Sequence, residues 1–130
     1  MESDQATDLN LYHVLLIPDR EILYRICDQR FLGFMDQGAV AEAETIKNMN
    51  LDPSLPAMKA LGLSQIIKYL DGEMNLDDAI KQAQQKTRNY AKRQMTWFRN
   101  QLEPNFVYTK SYDGSIDQGL IIEVSKFLKK

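Results

Sequence analysis

The residues best equipped for chemistry lie in one run, Thr87-Arg88-Asn89-Tyr90-Ala91-Lys92-Arg93-Gln94-Met95-Thr96-Trp97-Phe98-Arg99. A helix turning about 100° per residue puts Thr87, Ala91, Met95, Phe98 and Leu102 on one apolar stripe, with Arg88, Lys92 and Arg99 beside it. Lys86, Tyr90, Arg93 and Trp97 then fall on roughly the opposite side. Cations neutralise phosphates, and Tyr and Trp offer flat faces to unstacked bases, so this side suits a nucleic acid. Other readings of the same residues stay open. The aromatics can pack on another part of the protein while the cations are solvated, or they can form a protein interface. Cations late in a helix also complement its dipole, a purely structural reason for their position.

A second candidate is the arginine pair Arg25 and Arg30. Asp19 is placed to cap a helix running to about Gln37, with Gly38 as its stop. On that helix Leu23, Ile26, Cys27, Phe31 and Phe34 share a face that also holds Arg30, with Arg20 at its edge. An arginine on an apolar face needs an anion. That anion is either a carboxylate, such as Asp36 or a later acidic residue, or a bound phosphate met by the guanidinium's paired donors. Arg25 falls on the opposite face.

Composition limits what the whole chain does. Its 130 residues suffice for one domain with a core, and 16 Lys and Arg against 18 Asp and Glu give a formal charge of −2. This excludes a protein that coats nucleic acid with its whole surface. It permits a local basic face, because acidic residues gather at Glu42 and Glu44, Asp71 and Glu73, and Asp77 and Asp78. A single cysteine, Cys27, excludes an internal disulfide and a cysteine-rich zinc site, and reads as a buried thiol in a reducing cytoplasm. His13, the only histidine, reads as a packed side chain. No apolar run approaches the ~20 residues that span a bilayer, and the polar start Met1-Glu2-Ser3-Asp4-Gln5 is not a signal peptide. No Ser/His/Asp or Cys/His arrangement, metal-ligand spacing or G-x-x-x-x-G-K-[ST] phosphate loop occurs.

The elements that must position these residues can be read in order. Residues 1–11 are expected to be loose, and 12–130 to form a single mostly helical domain. Tyr12 to Ile17, closed by Pro18, suits a strand buried on both faces, and Phe106-Val107-Tyr108 is the one further strand candidate. Two isolated strands are marginal in water, so their sheet is expected to continue in chain outside this sequence. A second helix runs from Ala39 to about Met49. Leu51 to Pro56 reads as an extended connector, and a short helix ends near Leu70 at the turn Asp71-Gly72. Asn75 caps a long helix to about Gln101, stopped by Pro104. Asp113-Gly114 makes a turn, and Ile116, Leu120, Ile121, Val124, Phe127 and Leu128 form the apolar side of a final helix.

The run from Thr87 to Arg99 resembles the C-terminal signature of bacterial tRNA dimethylallyltransferases, the tRNA isopentenyltransferase family. Asp19-Arg20, Leu23-Tyr24-Arg25-Ile26, Gln29-Arg30-Phe31, Leu55-Pro56-Ala57-Met58-Lys59-Ala60-Leu61-Gly62 and Tyr69-Leu70-Asp71-Gly72-Glu73 follow the family's order, so the likeness extends from about Tyr12 to about Tyr108. It implies a mainly α fold: the helical C-terminal part of a P-loop-like α/β transferase, with one or two short strands that join the sheet of an N-terminal half. It implies transfer of a dimethylallyl group from dimethylallyl diphosphate to N6 of the adenosine next to the anticodon. By the same likeness Arg30, supported by Arg25, meets the diphosphate. Lys59, Ala60, Leu61, Gly62, Leu63, Ser64, Lys92, Arg93, Gln94, Trp97 and Arg99 meet the tRNA anticodon stem-loop. Where the family carries Tyr and then a basic residue after the glycine, this chain has Leu63 and Ser64. The family's phosphate loop and catalytic aspartate belong to the N-terminal half, so no catalytic residue is assigned here and the chain alone is expected to be inactive. Mg²⁺ is expected in the complete enzyme and none on this chain alone; the location is cytoplasmic. The alternative is a non-catalytic helical module binding RNA or protein.

Overall fold

The computed structural model of this chain describes residues 9–130, so residues 1–8 of the expected loose segment lie outside the described part. Residues 9–11 have no regular structure. Strand β1 is Val14–Leu16, followed by helices α1 (Arg20–Asp36) and α2 (Ala39–Asn48), a 3-10 turn at Pro56–Lys59, α3 (Leu63–Leu70), α4 (Leu76–Gln101), β2 (Phe106–Tyr108) and α5 (Gln118–Leu128).

The helix starts follow from local chemistry. The Asp19 carboxylate accepts the Glu21 N–H at 2.9 Å. The Asn75 side-chain oxygen accepts the Asp78 N–H at 2.8 Å, and its amide donates to the Asp78 carboxylate at 3.0 Å. Asp117 accepts the Leu120 N–H at 3.0 Å to start α5. The three bonds to the N–H groups of Glu21, Asp78 and Leu120 each satisfy a donor that the first helical turn leaves free. Gly38, at φ 100°, turns the chain between α1 and α2 with little pause. The helix from Asp19 and the long helix from Asn75 thus begin and end within a residue or two of the expected places.

The core is built by α1, α2, α3 and the first half of α4. Phe31, Ala43, Leu63, Ile66 and Ala83 are buried together, with Met35, Val40, Ile46, Met58, Ile67, Leu70 and Ile80 packed against them. Ala79, Ala83 and Ala91 give α4 a small-residue face, and Ala83 is 0% exposed, so neighbouring helices approach its backbone closely. The two strands pair in parallel, Val14 opposite Phe106 and Leu16 opposite Tyr108.

Several expectations are corrected. The strand is shorter than Tyr12 to Ile17 and is not buried on both faces: Leu15 is buried but Leu16 is 52% exposed. On α1, Ile26 and Phe34 are exposed and Cys27 is only half-buried, because α2, α3 and α4 cover the Phe31 side of the helix and leave its flank open. The connector is turned rather than extended: the Asp52 carboxylate accepts the Ser54 N–H at 2.8 Å and the Leu55 N–H returns to the Asp52 carbonyl at 3.1 Å. Ile116 precedes the final helix instead of belonging to it, and none of that helix is fully buried. Phe98, expected on the core stripe, is exposed and meets the Trp97 ring edge to face at 5.2 Å.

Candidate nucleic-acid and diphosphate interface

Helix α4 carries the basic and aromatic residues. Asn89, Lys92, Arg93, Thr96, Trp97, Asn100 and Gln101 recur at steps of three and four residues, and together line a shallow groove of about 520 Å³ on the outer face. Ala91 and Met95, on the other side of the same turns, are buried and fix the helix's rotation, so this face points to solvent. Trp97 is 56% exposed. The Arg93 guanidinium lies 5.9 Å from the Tyr90 ring centre, within reach of a cation–π contact. The groove therefore presents two cations, one large aromatic face and the amides of Asn89, Asn100 and Gln101, a set that can meet phosphates and stack or hydrogen-bond bases. Gln94 and Arg99 are exposed on α4 but do not line this groove.

The second region gathers around α1. Arg30 is exposed, and its guanidinium stands 5.8 Å from the Phe34 ring centre. Of the two partners left open for Arg30, the carboxylate one, Asp36 or a later acidic residue, is not formed: among the described residues Arg30 has no carboxylate partner. The reason is geometric. Arg30 sits at the open flank of the helix, where water and the Phe34 face solvate the charge, so burial never demands an anion. Arg25 is exposed as well. A small cavity of about 60 Å³ between Cys27, Arg30, Phe31, Phe34, Leu61 and Thr87 brings α1, the segment before α3 and the start of the α4 basic run together.

The segment 59–64 is ordered by Gly62. Its φ of 92° lies in the left-handed region, and a Cβ there would come 2.5 Å from Cε2 of Phe31. Gly62 thus lets the backbone rest directly on the α1 aromatic ring. Leu61 projects to solvent, Lys59 and Ser64 are exposed, and Leu63 turns into the core. Of the residues expected to meet RNA, Leu63 is therefore not available to a ligand in this structure, because its apolar side chain packs with Phe31 and Ile66.

Sequence reasoning missed an ion pair beneath these surfaces. The Arg88 Nη1 donates to the Asp28 carboxylate at 2.6 Å, its Nη2 donates to the Gln85 side-chain oxygen at 2.9 Å, and the Gln84 amide donates to the Asp28 backbone carbonyl at 3.2 Å. Among the described residues two carboxyls are drawn below their ordinary value, both outside the helices and strands. Asp52 is held down by the Ser54 N–H and hydroxyl, and Asp113 by the Ser115 hydroxyl and N–H. Among the described residues no group of three or more His, Cys, Asp or Glu could hold a metal ion, and no helix is long and apolar enough to cross a membrane.

Comparison with known proteins accounts for this arrangement. A family model described as IPP transferase matches residues 1–101, ending where α4 ends. The chain is 44% identical over 108 residues to a tRNA dimethylallyltransferase of Erythrobacter litoralis, covering 83% of this chain and 34% of that protein. It is 45% identical over 116 residues to a protein of the same name from Novosphingobium aromaticivorans, covering 89% and 41%. The chain thus spans only about a third to two-fifths of the length of these relatives. The full-length tRNA isopentenylpyrophosphate transferase of Bacillus halodurans superposes on 96% of this chain and 40% of its own, with TM-score 0.73 and 28% identity. A Staphylococcus epidermidis protein of 24% identity shares the fold at TM-score 0.74. The mostly helical body, the paired short strands and the sequence run along α4 are all accounted for by one origin, and this chain belongs to the IPP transferase family.

Proposed function

We propose that this chain is the C-terminal substrate-binding portion of a tRNA dimethylallyltransferase, with residues 12–130 forming one unit. In the reaction, N6 of an adenine attacks the first carbon of dimethylallyl diphosphate, the C–N bond forms, the C–O bond to diphosphate breaks, and the amine proton leaves to a base. This chain supplies cations and presentation. Arg30, with Arg25 in support, meets the leaving diphosphate. Lys59 to Ser64, apart from the core-packed Leu63, and Lys92, Arg93, Gln94, Trp97 and Arg99 hold the anticodon stem-loop. The base and the phosphate loop belong to the remainder of the enzyme. Mg²⁺ is a cofactor of the complete enzyme and is not assigned to residues of this chain.

The observation that carries the reading is the α4 groove, where Lys92, Arg93 and Trp97 share one solvent-facing surface. The test is binding of this chain to an anticodon stem-loop across a salt series, beside a Lys92→Ala, Arg93→Ala double variant. Expected is affinity that falls steeply with salt, with the variant's slope of log K against log salt shallower by about 1 to 2. Binding indifferent to salt, or unchanged in the variant, counts against an RNA face on α4 and favours a protein interface. Prenyl transfer by this chain alone would contradict the assignment of the base elsewhere.

A further inference from the structure

The two surfaces just described are carried by three separate elements, and their relative placement depends on helix α1. Phe31 of α1 underlies Gly62, so α1 sets the height of the 59–64 segment. Three residues earlier on the same helix, Asp28 is gripped from α4. Arg88 Nη1 donates to its carboxylate at 2.6 Å and Gln84 donates to its backbone carbonyl at 3.2 Å. Gln84 and Arg88 are one turn apart on one face of α4, so two donors spaced along one helix hold a single residue of the other. Added to the core packing of α1 on α4, the two bonds give a directional hold that opposes both rotation and sliding. The Arg88 guanidinium is itself steadied by the Gln85 side-chain oxygen at 2.9 Å. The ion pair is largely shielded from water, at 26% and 29% side-chain exposure, unlike the exposed Lys126–Glu123 pair on α5. A planar fork holding two acceptors suits fixing geometry better than adding attraction.

We infer that Asp28, through Arg88 and Gln84, is a positioning residue that sets the 59–64 segment against the α4 basic face so that one RNA stem-loop can touch both. This rests on the proposed reading of those surfaces as an RNA site. It assigns Arg88 a role apart from its neighbours in the basic run: Lys92 and Arg93 face the ligand, whereas Arg88 faces α1.

The sign of one substitution separates positioning from charge. Asp28→Ala removes a negative charge close to an RNA site, so if Asp28 acts only through its field, stem-loop binding tightens. If it positions, binding weakens, by about fivefold to tenfold for a coupling of roughly 1 to 1.4 kcal/mol. Arg88→Lys gives a charge-neutral version of the same test. It keeps the cation but loses the two-pronged fork, and the expected result is weakening of several-fold with a shallower salt slope. A merely structural role would lower the folded fraction without changing the affinity or salt slope of the molecules that remain folded, so both are measured on protein titrated for active concentration. Tighter or unchanged binding by Asp28→Ala overturns the inference, as does wild-type affinity in Arg88→Lys. If Asp28→Ala does not fold, Arg88→Lys decides alone. If the wild-type chain fails to bind the stem-loop at all, the functional reading itself falls, and that outcome is seen before any variant is made.

Discussion

At Gly62 two constraints fall on one atom that is not there. The backbone is left-handed, and the Phe31 ring occupies the space a side chain would need. Gly62→Ala is therefore expected to destabilise the fold by about 2 to 4 kcal/mol, combining the left-handed penalty with overpacking, as read by urea unfolding. What makes a glycine necessary here is the ring of Phe31, thirty-one positions away in the chain, and nothing in the 59–64 segment itself marks that partner. Arg30 shows the same limit from the other side. Helical spacing correctly put it beside Phe34, one turn on, and the two do meet. Spacing could not say how much of that apolar face its neighbours would cover, so the charge looked as though it needed an anion, either a carboxylate or a bound phosphate. The helix partners leave that flank open, and no such carboxylate is required.

The elements were legible wherever their limits are set locally. Asn75, Asp78 and Pro104 bound the long helix using only neighbouring residues, and α4 occupies the expected span. Asn75→Ala removes the bond to the Asp78 N–H, and is expected to lower stability by about 1 kcal/mol with native helix content retained, as measured by unfolding followed by circular dichroism. What joins the elements was not legible. Arg88 and Asp28 stand sixty positions apart, and nothing in either segment marks the other as its partner. Helical spacing put Arg88 beside the apolar stripe, but it sorts residues by direction and not by what lies in that direction. The same reason hid the fate of Leu63, whose place in the segment suggested a ligand contact and whose packing gives it to the core.

Across the whole molecule, apolar surface is unevenly covered. Val14, Leu16, Tyr108, Tyr112, Ile116 and Leu120 line a groove of about 430 Å³ beside the two-stranded sheet. Leu16 and Val107 are both exposed on that sheet. An uncovered strand pair with apolar neighbours invites association. The chain is expected to self-associate as its concentration rises, and Leu16→Lys to reduce this without loss of helix, as followed by light scattering. Equal association in both would place the contact elsewhere. That the chain offers two short strands was readable in the sequence, and two such strands rarely stand alone. Which side of β1 would stay open was not readable, because Tyr12 to Ile17 is apolar nearly throughout.

The pairing of β1 with β2 also dictates an order of events during synthesis. It joins His13 to Asn105, ninety-two positions apart, while α1 docks on α4 across sixty, Asp28 to Arg88. On a ribosome, β2 follows β1 only after α4 is complete, so the helices between them can assemble while β1 is still unpaired. Closing so long a loop is slow compared with helix formation and docking. The strand pair thus closes after the helices between its members can pack, and β1 spends that interval open to competing partners.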